Sequence, residues 1–566
     1  MQQGDDLNGD KLTAVESDKV SREVLLKVEN LEVTFGSAPV LHDVSFELRR
    51  GERVAIVGQS GSGKSTTIGA ILQLLPGDGY VSNGSIRLGS SGDVVDLADA
   101  SDAQMRSIRG SRLGLVPQDP MSNLNPSMKV GPQIADALIS NREPGSERLD
   151  RAQVKSRAVA LMAEAGIPDA ERRYGQYPHE FSGGMRQRVL IAIALAGEPE
   201  LLIADEPTSA LDVTVQRQIL NHLQNLVDAR GTSLLFITHD LGLAADRTDR
   251  IIVMSEGRIV EVGTPREILL NPQEDYTKAL VAAAPSVAAV LGREPAGGGM
   301  SSIAGPEPIL VIRDLFKEFK LRGQRGGTVQ AVKDVSFSVQ RGTTTAVVGE
   351  SGSGKTTVAR IILGLETATS GNALIDGQTI TASRGQQRRA LRRKVQPVFQ
   401  DPYGSLDPTF SIERLIDEPL RIFKVGDKES RRKKVADLLD QVGMPHSMAQ
   451  RRPNELSGGQ RQRVAIARAL ALEPEMLILD EAVSALDVLV QDQILRLLAD
   501  LQDRLGLTYL FISHDLAVVR QIADNVVVMK AGEVMESGTV DQVYNRPESG
   551  YTRELLGAIP GAAFAA

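Results

Sequence analysis

The chain has 566 residues, 42% hydrophobic and 24% charged, with a formal net charge of −8 and a pI near 5.6. That acidic balance argues against a protein that wraps nucleic acid, because phosphate binding takes clustered Lys and Arg. No cysteine is present, which excludes disulfides, thiolate metal sites and iron–sulfur clusters within the chain, and no run of 18 or more apolar residues suggests a membrane-spanning helix.

In chain order, Met1–Lys19 is polar and acid-rich and lacks the basic start and apolar run of a signal peptide, and residues 1–23 are expected to be disordered. Arg53–Val57 (RVAIV) reads as a strand that leads into the Gly-rich loop GQSGSGKST, Gly58–Thr66, and then into a helix starting near Ser65. A charged helical stretch follows around Ala152–Ala165, then FSGGMRQRV at Phe181–Val189. Leu201–Ala204 is a short continuous apolar run, as expected for a buried parallel strand, and it ends in Asp205-Glu206. A third apolar run, from Leu234, ends in His239-Asp240. Ser286–Pro308 is rich in Gly, Ala, Ser and Pro and reads as a flexible linker.

Beyond the linker the same series returns. The strand Thr345–Val348 precedes GESGSGKTT at Gly349–Thr357, with a helix expected near Thr356 and a helical stretch at Ser430–Val442. LSGGQRQRV at Leu456–Val464, MLILDE at Met476–Glu481 and YLFISHD at Tyr509–Asp515 complete it. Ser457, Asp480, His514 and Tyr551 each lie 275 residues after Ser182, Asp205, His239 and Tyr276, whereas Lys355 lies 291 after Lys64. A period this long marks a duplicated domain rather than a solenoid, whose repeats run about 20–50 residues. The expected organisation is 24–285, a linker 286–308, and 309–566, each unit α/β with a helical insertion.

The motif GxxxxGK[ST] has a physical logic. Its glycines let successive backbone N–H groups turn toward phosphate oxygens, and the following helix contributes its N-terminal partial charge. ATP is therefore expected on Gly58, Ser60, Gly61, Gly63, Lys64, Ser65 and Thr66, and again on Gly349, Ser351, Gly352, Gly354, Lys355, Thr356 and Thr357. Ser65 and Thr356, with Asp205 and Asp480 at the strand ends, are placed to hold Mg2+. Glu206 and Glu481 are placed to activate or orient an attacking water. The simpler alternative, an acid capping a helix after a strand, loses ground because a phosphate loop lies upstream in both copies. His239 and His514, at strand ends where such sheets bind ligands, are candidates for γ-phosphate contact.

SGG followed by [MQ]RQR upstream of Asp-Glu resembles the signature of ABC ATPases, over nearly the whole chain. The resemblance implies two P-loop NTPase domains, each a RecA-like core with an antiparallel β subdomain and a helical subdomain. It makes Gln118 and Gln400 Q-loop glutamines with catalytic and Mg2+ roles, and Ser209–Asp212 and Ser484–Asp487 D-loops. It places Phe35 and Phe319 where an aromatic stacks on adenine, although strand aromatics are more often core. It further implies head-to-tail pairing of the two domains. Lys64 would then share its ATP with Ser457, Gly458 and Gly459, and Lys355 with Ser182, Gly183 and Gly184.

A narrower resemblance lies in QDPMSNLNP and QDPYGSLDP, and in the unit ends NPQEDYTKALVAAAP and NRPESGYTRELLGAIP, which are similar to the peptide and nickel importer ATPases. The family's His-Pro pair is replaced by Glu274-Asp275 and Ser549-Gly550, and a cysteine cluster that binds an iron–sulfur centre in some relatives has no counterpart. The implied function is the ATPase motor of a peptide importer at the cytoplasmic face of the membrane, working with two separate permease chains and an external solute-binding protein. Nickel or another small solute is the alternative cargo. A soluble ABC translation factor would carry a long charged linker, a chromosome or repair ATPase zinc cysteines or long coiled coils, and a fused sugar-importer ATPase is disfavoured by the QDP…LNP and Tyr-Thr segments seen here.

Overall fold

A computed structural model describes residues 23–90, 92–142, 149–208, 211–290, 307–320, 327–380 and 385–561. The segment expected to be disordered at the N-terminus, apart from residue 23, and the start of the first D-loop at Ser209 lie outside the described residues. The chain forms two compact units that part between Val281 and Ala282.

In the first unit, long strands β1 (Val24–Phe35) and β2 (Ala38–Arg49) pair antiparallel and are joined by β4 (Gly79–Leu88) and β5 (Val95–Asp96) in the order β2-β1-β4-β5. The second sheet has the order β10-β9-β3-β8-β7-β6. Its parallel members are β3 (Arg53–Val57), β6 (Leu113–Val116), β7 (Leu201–Asp205), β8 (Ser233–Thr238) and β9 (Arg250–Ser255), and β10 (Arg258–Gly263) closes it antiparallel. All six residues of β8 and the last four of β3 are buried, which is why these strands read as unbroken apolar runs rather than alternating ones. Leu26, Leu31 and Ile86 of the antiparallel sheet share one core with Ile56, Ile203 and Ile237 of the parallel sheet.

Helix α1 (Lys64–Ile71) leaves β3 through the Gly-rich loop. The insertion packs α2 (Val130–Ser140) and α3 (Arg151–Glu164) against α4 (Gly183–Ala194) around Ile134, Leu161 and Val189. Helix α5 (Val213–Arg230) then leads to β8, and the unit ends within α6 (Asp275–Ala283).

The second unit repeats the plan with the sheet orders β12-β11-β14-β15 and β16-β17-β18-β13-β19-β20. Its strands are β11 (Pro308–Lys320), β12 (Thr328–Gln340), β13 (Thr344–Val348), β14 (Ser370–Ile375), β15 (Gln378–Thr379), β16 (Val395–Val398), β17 (Met476–Asp480), β18 (Thr508–Ser513), β19 (Asn525–Lys530) and β20 (Glu533–Thr539). The stretch read from composition as a linker opens with a helix, α7 (Pro285–Val290), which packs against Leu516–Ile522 of the second unit. Its buried Val287 supplies apolar contact that a Gly-Ala composition hides. Helices α8 (Lys355–Ile362), α9 (Ile412–Phe423), α10 (Lys428–Gln441), α11 (Gly458–Leu470), α12 (Val488–Leu505) and α13 (Gly550–Leu556) complete the unit.

Candidate active site

The phosphate loops are shaped by glycine. Gly63 and Gly354 precede α1 and α8 with φ of 103° and 102°, and neither helix start carries a side-chain cap. No side-chain cap therefore competes at the start of either helix, where first-turn N–H groups bind phosphate in such loops. A Cβ at Gly58 would meet the Met254 carbonyl at 2.3 Å, and one at Gly349 the Met529 carbonyl at 2.1 Å. Gly61 and Gly352, by contrast, face open space, and Ser60 and Ser351 are exposed beside them. Lys64 is buried and its Nζ donates to the carbonyls of Gly58 (2.7 Å) and Gln59 (2.9 Å). Lys355 does the same to Gly349 (2.7 Å) and Glu350 (2.8 Å). On the first helical turns Ser65 is exposed, and Thr66, Thr356 and Thr357 are half-buried. Thr356 Oγ1 donates to Asp480 Oδ1 at 3.5 Å, so a hydroxyl and a carboxylate converge beside the lysine.

Three candidates from distant parts of each unit meet at one carboxylate. Gln118 Nε2 donates to Glu206 Oε2 at 3.0 Å, and His239 Nδ1 lies 3.1 Å from Glu206 Oε1. In the second unit Gln400 Nε2 donates to Glu481 Oε2 at 2.7 Å, and His514 Nδ1 lies 3.3 Å from Glu481 Oε1. Both glutamates have left-handed backbone, φ 41° and 49°, and donate their N–H to Ile237 and Ile512 carbonyls at 3.0 and 2.9 Å. That conformation costs a non-glycine residue about 1–2 kcal/mol and turns the side chain off the strand axis.

The neighbouring acids are driven apart electrostatically. Burial raises the Asp205 carboxyl, and the charge of Glu206 adds to the rise against Lys64, leaving it at about 6. Asp480 is raised for the same two reasons. Burial would raise Glu206 as well, but the hydrogen bond and charge of His239, with Lys64, bring it below the ordinary glutamate value. Glu481 is lowered in the same way through His514 and Lys355. The histidines respond reciprocally: burial lowers them, and the paired glutamate carries each net above its usual value. Each unit therefore holds one acid ready to be ionised by a cation and one held ionised by an imidazole.

The signature residues lie on separate elements. Ser182 caps α4 by accepting from the Met185 N–H (3.3 Å), and Ser457 caps α11 through Gln460 (3.3 Å), whose side chain accepts from the Ser457 N–H at 3.0 Å. Met185 cannot return that bond. A Cβ at Gly184 would meet Val215 Cγ1 at 2.6 Å, and one at Gly459 would meet Val490 Cγ1 at 2.4 Å. Close packing of the following helix thus accounts for the second glycine of each signature. Gly183 and Gly458 are less crowded, with Cβ contacts of 3.3 Å and 3.5 Å to Leu211 and Leu486.

Phe35 and Phe319 differ. Phe35 is half-buried against the first unit's core, where a Cβ on Gly79 would touch its ring at 2.5 Å. Phe319 is 39% exposed, with Lys317 Nζ 4.7 Å from its ring centroid.

Sequence reasoning missed one element of the site. The Tyr276 hydroxyl accepts from the Gln59 N–H at 3.0 Å, and the Tyr551 hydroxyl from the Glu350 N–H at 3.3 Å. The tail is docked by a carboxylate: Glu261 accepts from the N–H groups of Gln273 and Glu274, and Glu536 from those of Glu548 and Ser549. Backbone, not side chains, makes these bonds, so the loss of the His-Pro pair leaves the docking intact. The signal was present in the unchanged 275-residue spacing of both Tyr276 and Glu261 from their copies.

The ABC transporter family matches residues 41–209 and 332–484, each span reaching from the phosphate-loop strand region past the Asp-Glu pair. The chain belongs to the ABC transporter family. It is an ATP-binding ATPase with two cassettes on one chain, of the peptide-importer type; residues 260–304 also match the oligopeptide/dipeptide transporter C-terminal region. The glutathione import ATP-binding protein GsiA of Salmonella choleraesuis is 41% identical over 576 residues, covering 96% of this chain and 91% of that protein. GsiA of Escherichia coli K12 is 42% identical over 572 residues with the same coverage. A solved dimeric ATP-binding cassette in a post-hydrolysis state, bound to ADP and Pi, is 32% identical over 41% of this chain and 98% of its own, with a TM-score of 0.38. No helix among the described residues is long and apolar enough to cross a membrane.

Proposed function

We propose that this ABC ATPase powers uptake of small peptides through two separate permease chains, with an external solute-binding protein delivering the cargo. The observation that carries the chemistry is the Gln–Glu–His cluster, present in both units beside a phosphate loop. Glu206 and Glu481 accept a proton from, or orient, the water that attacks the γ-phosphate. His239 and His514 hold that carboxylate ionised and face the γ-phosphate. Gln118 and Gln400 tie the carboxylate to the Q-loop, the segment through which motion would pass to a permease.

The donor set fits Mg2+. Ser65 or Thr356, Asp205 or Asp480, and the Gln118 or Gln400 amide offer hard oxygen ligands, and few enough to leave positions for water and phosphate oxygens. When bound, the ion would neutralise charge on the phosphates. The lysines would contact the same phosphates, and the ring of Phe319 is available to stack on adenine, whereas Phe35 is half-buried against its core and would have to turn out of it to do the same.

The two units are proposed to pair head to tail, with Ser457, Gly458 and Gly459 completing the site of Lys64, and Ser182, Gly183 and Gly184 that of Lys355. ATP would then join the units and hydrolysis release them, a two-state switch. The match to an oligopeptide/dipeptide transporter region supports peptide cargo, and the glutathione import for which the relatives are named makes the tripeptide glutathione the first substrate to try. The chain would sit peripherally on the cytoplasmic face, bound to its permeases.

The test is uptake. The chain is expressed with permeases and a binding protein of a peptide importer, in cells unable to import peptides, and accumulation of labelled dipeptide and glutathione is measured. ATP-dependent accumulation that vanishes with Glu206→Gln and Glu481→Gln supports the reading. Accumulation of nickel instead, or ATP-dependent co-sedimentation with ribosomes, overturns it.

A further inference from the structure

We infer that Tyr276 and Tyr551 are positioning residues for ATP binding, each setting the orientation of one peptide group in its phosphate loop. The inference rests on these loops being the ATP sites.

The peptide that joins Gly58 to Gln59 is held at both ends. Its carbonyl accepts from Lys64 Nζ at 2.7 Å, and its N–H donates to the Tyr276 hydroxyl at 3.0 Å. A trans peptide is planar, with carbonyl and N–H pointing in opposite directions, so fixing one end fixes the other. The tyrosine therefore controls where the carbonyl under the lysine points. The Gly349–Glu350 peptide is held identically, by Lys355 at 2.7 Å and Tyr551 at 3.3 Å. Gly58 and Gly349 lack the Cβ that would otherwise stiffen this peptide, and none could be accommodated against Met254 or Met529. The restraint must come from outside the loop.

The tyrosines are themselves well placed to supply it. Each sits in the first turn of a tail helix docked by Glu261 or Glu536. The next residue, Thr277 or Thr552, is buried at 0% or 1% exposure. Lys530 Nζ lies 4.2 Å from the Tyr551 ring centroid, a further constraint in the second unit, where the first unit has Ser255. The aromatic ring gives the hydroxyl a rigid arm, and only the hydroxyl reaches the loop.

The experiment uses the full chain with Tyr276→Phe and Tyr551→Phe together, which keeps the rings and removes the hydroxyls. Steady-state hydrolysis, equilibrium binding of a fluorescent ATP analogue and thermal unfolding are measured on each variant. The expected result is a KM and a dissociation constant for nucleotide raised about 3- to 10-fold, the range for one neutral hydrogen bond, with kcat within about 2-fold and the melting temperature unchanged. Glu261→Ala with Glu536→Ala removes the carboxylates that dock the tail, and is expected to lower the melting temperature and to raise KM with it, because the tyrosine hydroxyl then loses its fixed place. Nucleotide affinity unchanged in the Phe variants overturns the inference. So does an affinity loss in the Phe variants that comes with a fall in melting temperature as large as that of the Glu variants, since the hydroxyl would then act only in packing the tail. Lys64→Ala with Lys355→Ala separates the underlying reading: if that variant binds nucleotide normally, the loops are not the ATP sites at all.

Discussion

Gln400 Nε2 donates to Glu481 Oε2 at 2.7 Å while His514 approaches the other oxygen of the same carboxylate at 3.3 Å. The carboxylate is thus held by an amide on one side and an imidazole on the other, with Glu206 held likewise by Gln118 and His239. Replacing both glutamates by glutamine keeps the shape and removes the base. Turnover is expected to fall by roughly 10²–10⁴-fold with nucleotide binding retained, as measured by phosphate release and by filter binding of labelled ATP. The single variants should each leave one working carboxylate.

The pH profile should have an acid limb set by Asp205, whose carboxyl lies at about 6. A protonated Asp205 cannot serve a cation, so hydrolysis in the first unit should decline as pH falls through that value. Because Mg2+ competes with the proton, the limb should move to lower pH as Mg2+ is raised. Rates measured from pH 5 to 8 at several Mg2+ concentrations, in an Asp480→Asn background, check this; a limb indifferent to Mg2+ contradicts it.

Asp205 also has a cost in stability. Its folded pKa is raised, so the folded chain holds the proton between the unfolded value, near 4, and about 6, and ionisation above that range opposes folding. Asp205→Asn should therefore stabilise the nucleotide-free chain at pH 7.5 by about 1–2 kcal/mol while abolishing Mg2+-dependent hydrolysis in that unit. The gain should shrink toward zero below pH 4. For the His239–Glu206 pair the sign is opposite on the histidine side. The imidazole is raised, so its contribution is present below pH 6.5 and is lost as pH rises through the folded value. Urea titrations from about pH 3 to 9 read both effects.

Gly459→Ala should destabilise the second unit by about 1–3 kcal/mol, because its Cβ would lie 2.4 Å from Val490 Cγ1. Val490→Ala should recover much of that loss. A double-mutant cycle in thermal unfolding measures the coupling, and ATPase assays on the double variant show whether the glycine serves packing alone.

Much of this site could be read from local pattern. The loops, the Asp-Glu pairs and the strand-end histidines each follow a continuous apolar run, because strands buried on both faces need no alternation. Features set by tertiary contact could not. The Tyr276 hydroxyl meets an N–H 217 residues away, and nothing in the residues around it shows where its ring points. Gly184 is dictated by Val215, on another helix. Phe35 and Phe319 occupy equivalent places in the repeat, yet one ring packs into a core and the other faces solvent. Helix α7 escaped because its few apolar contacts come from Leu516–Ile522, far along the chain.

The left-handed backbone at Glu206 and Glu481 has an evolutionary consequence. Glycine would occupy either position without the strain, so drift under selection for stability alone would move both toward glycine or asparagine. A duplicated cassette freed from hydrolysis would be expected to relax there first. This chain keeps glutamate at both positions, at φ 41° and 49°. Glutamate held at both positions against that strain is what a chain under selection for hydrolysis at both sites would show.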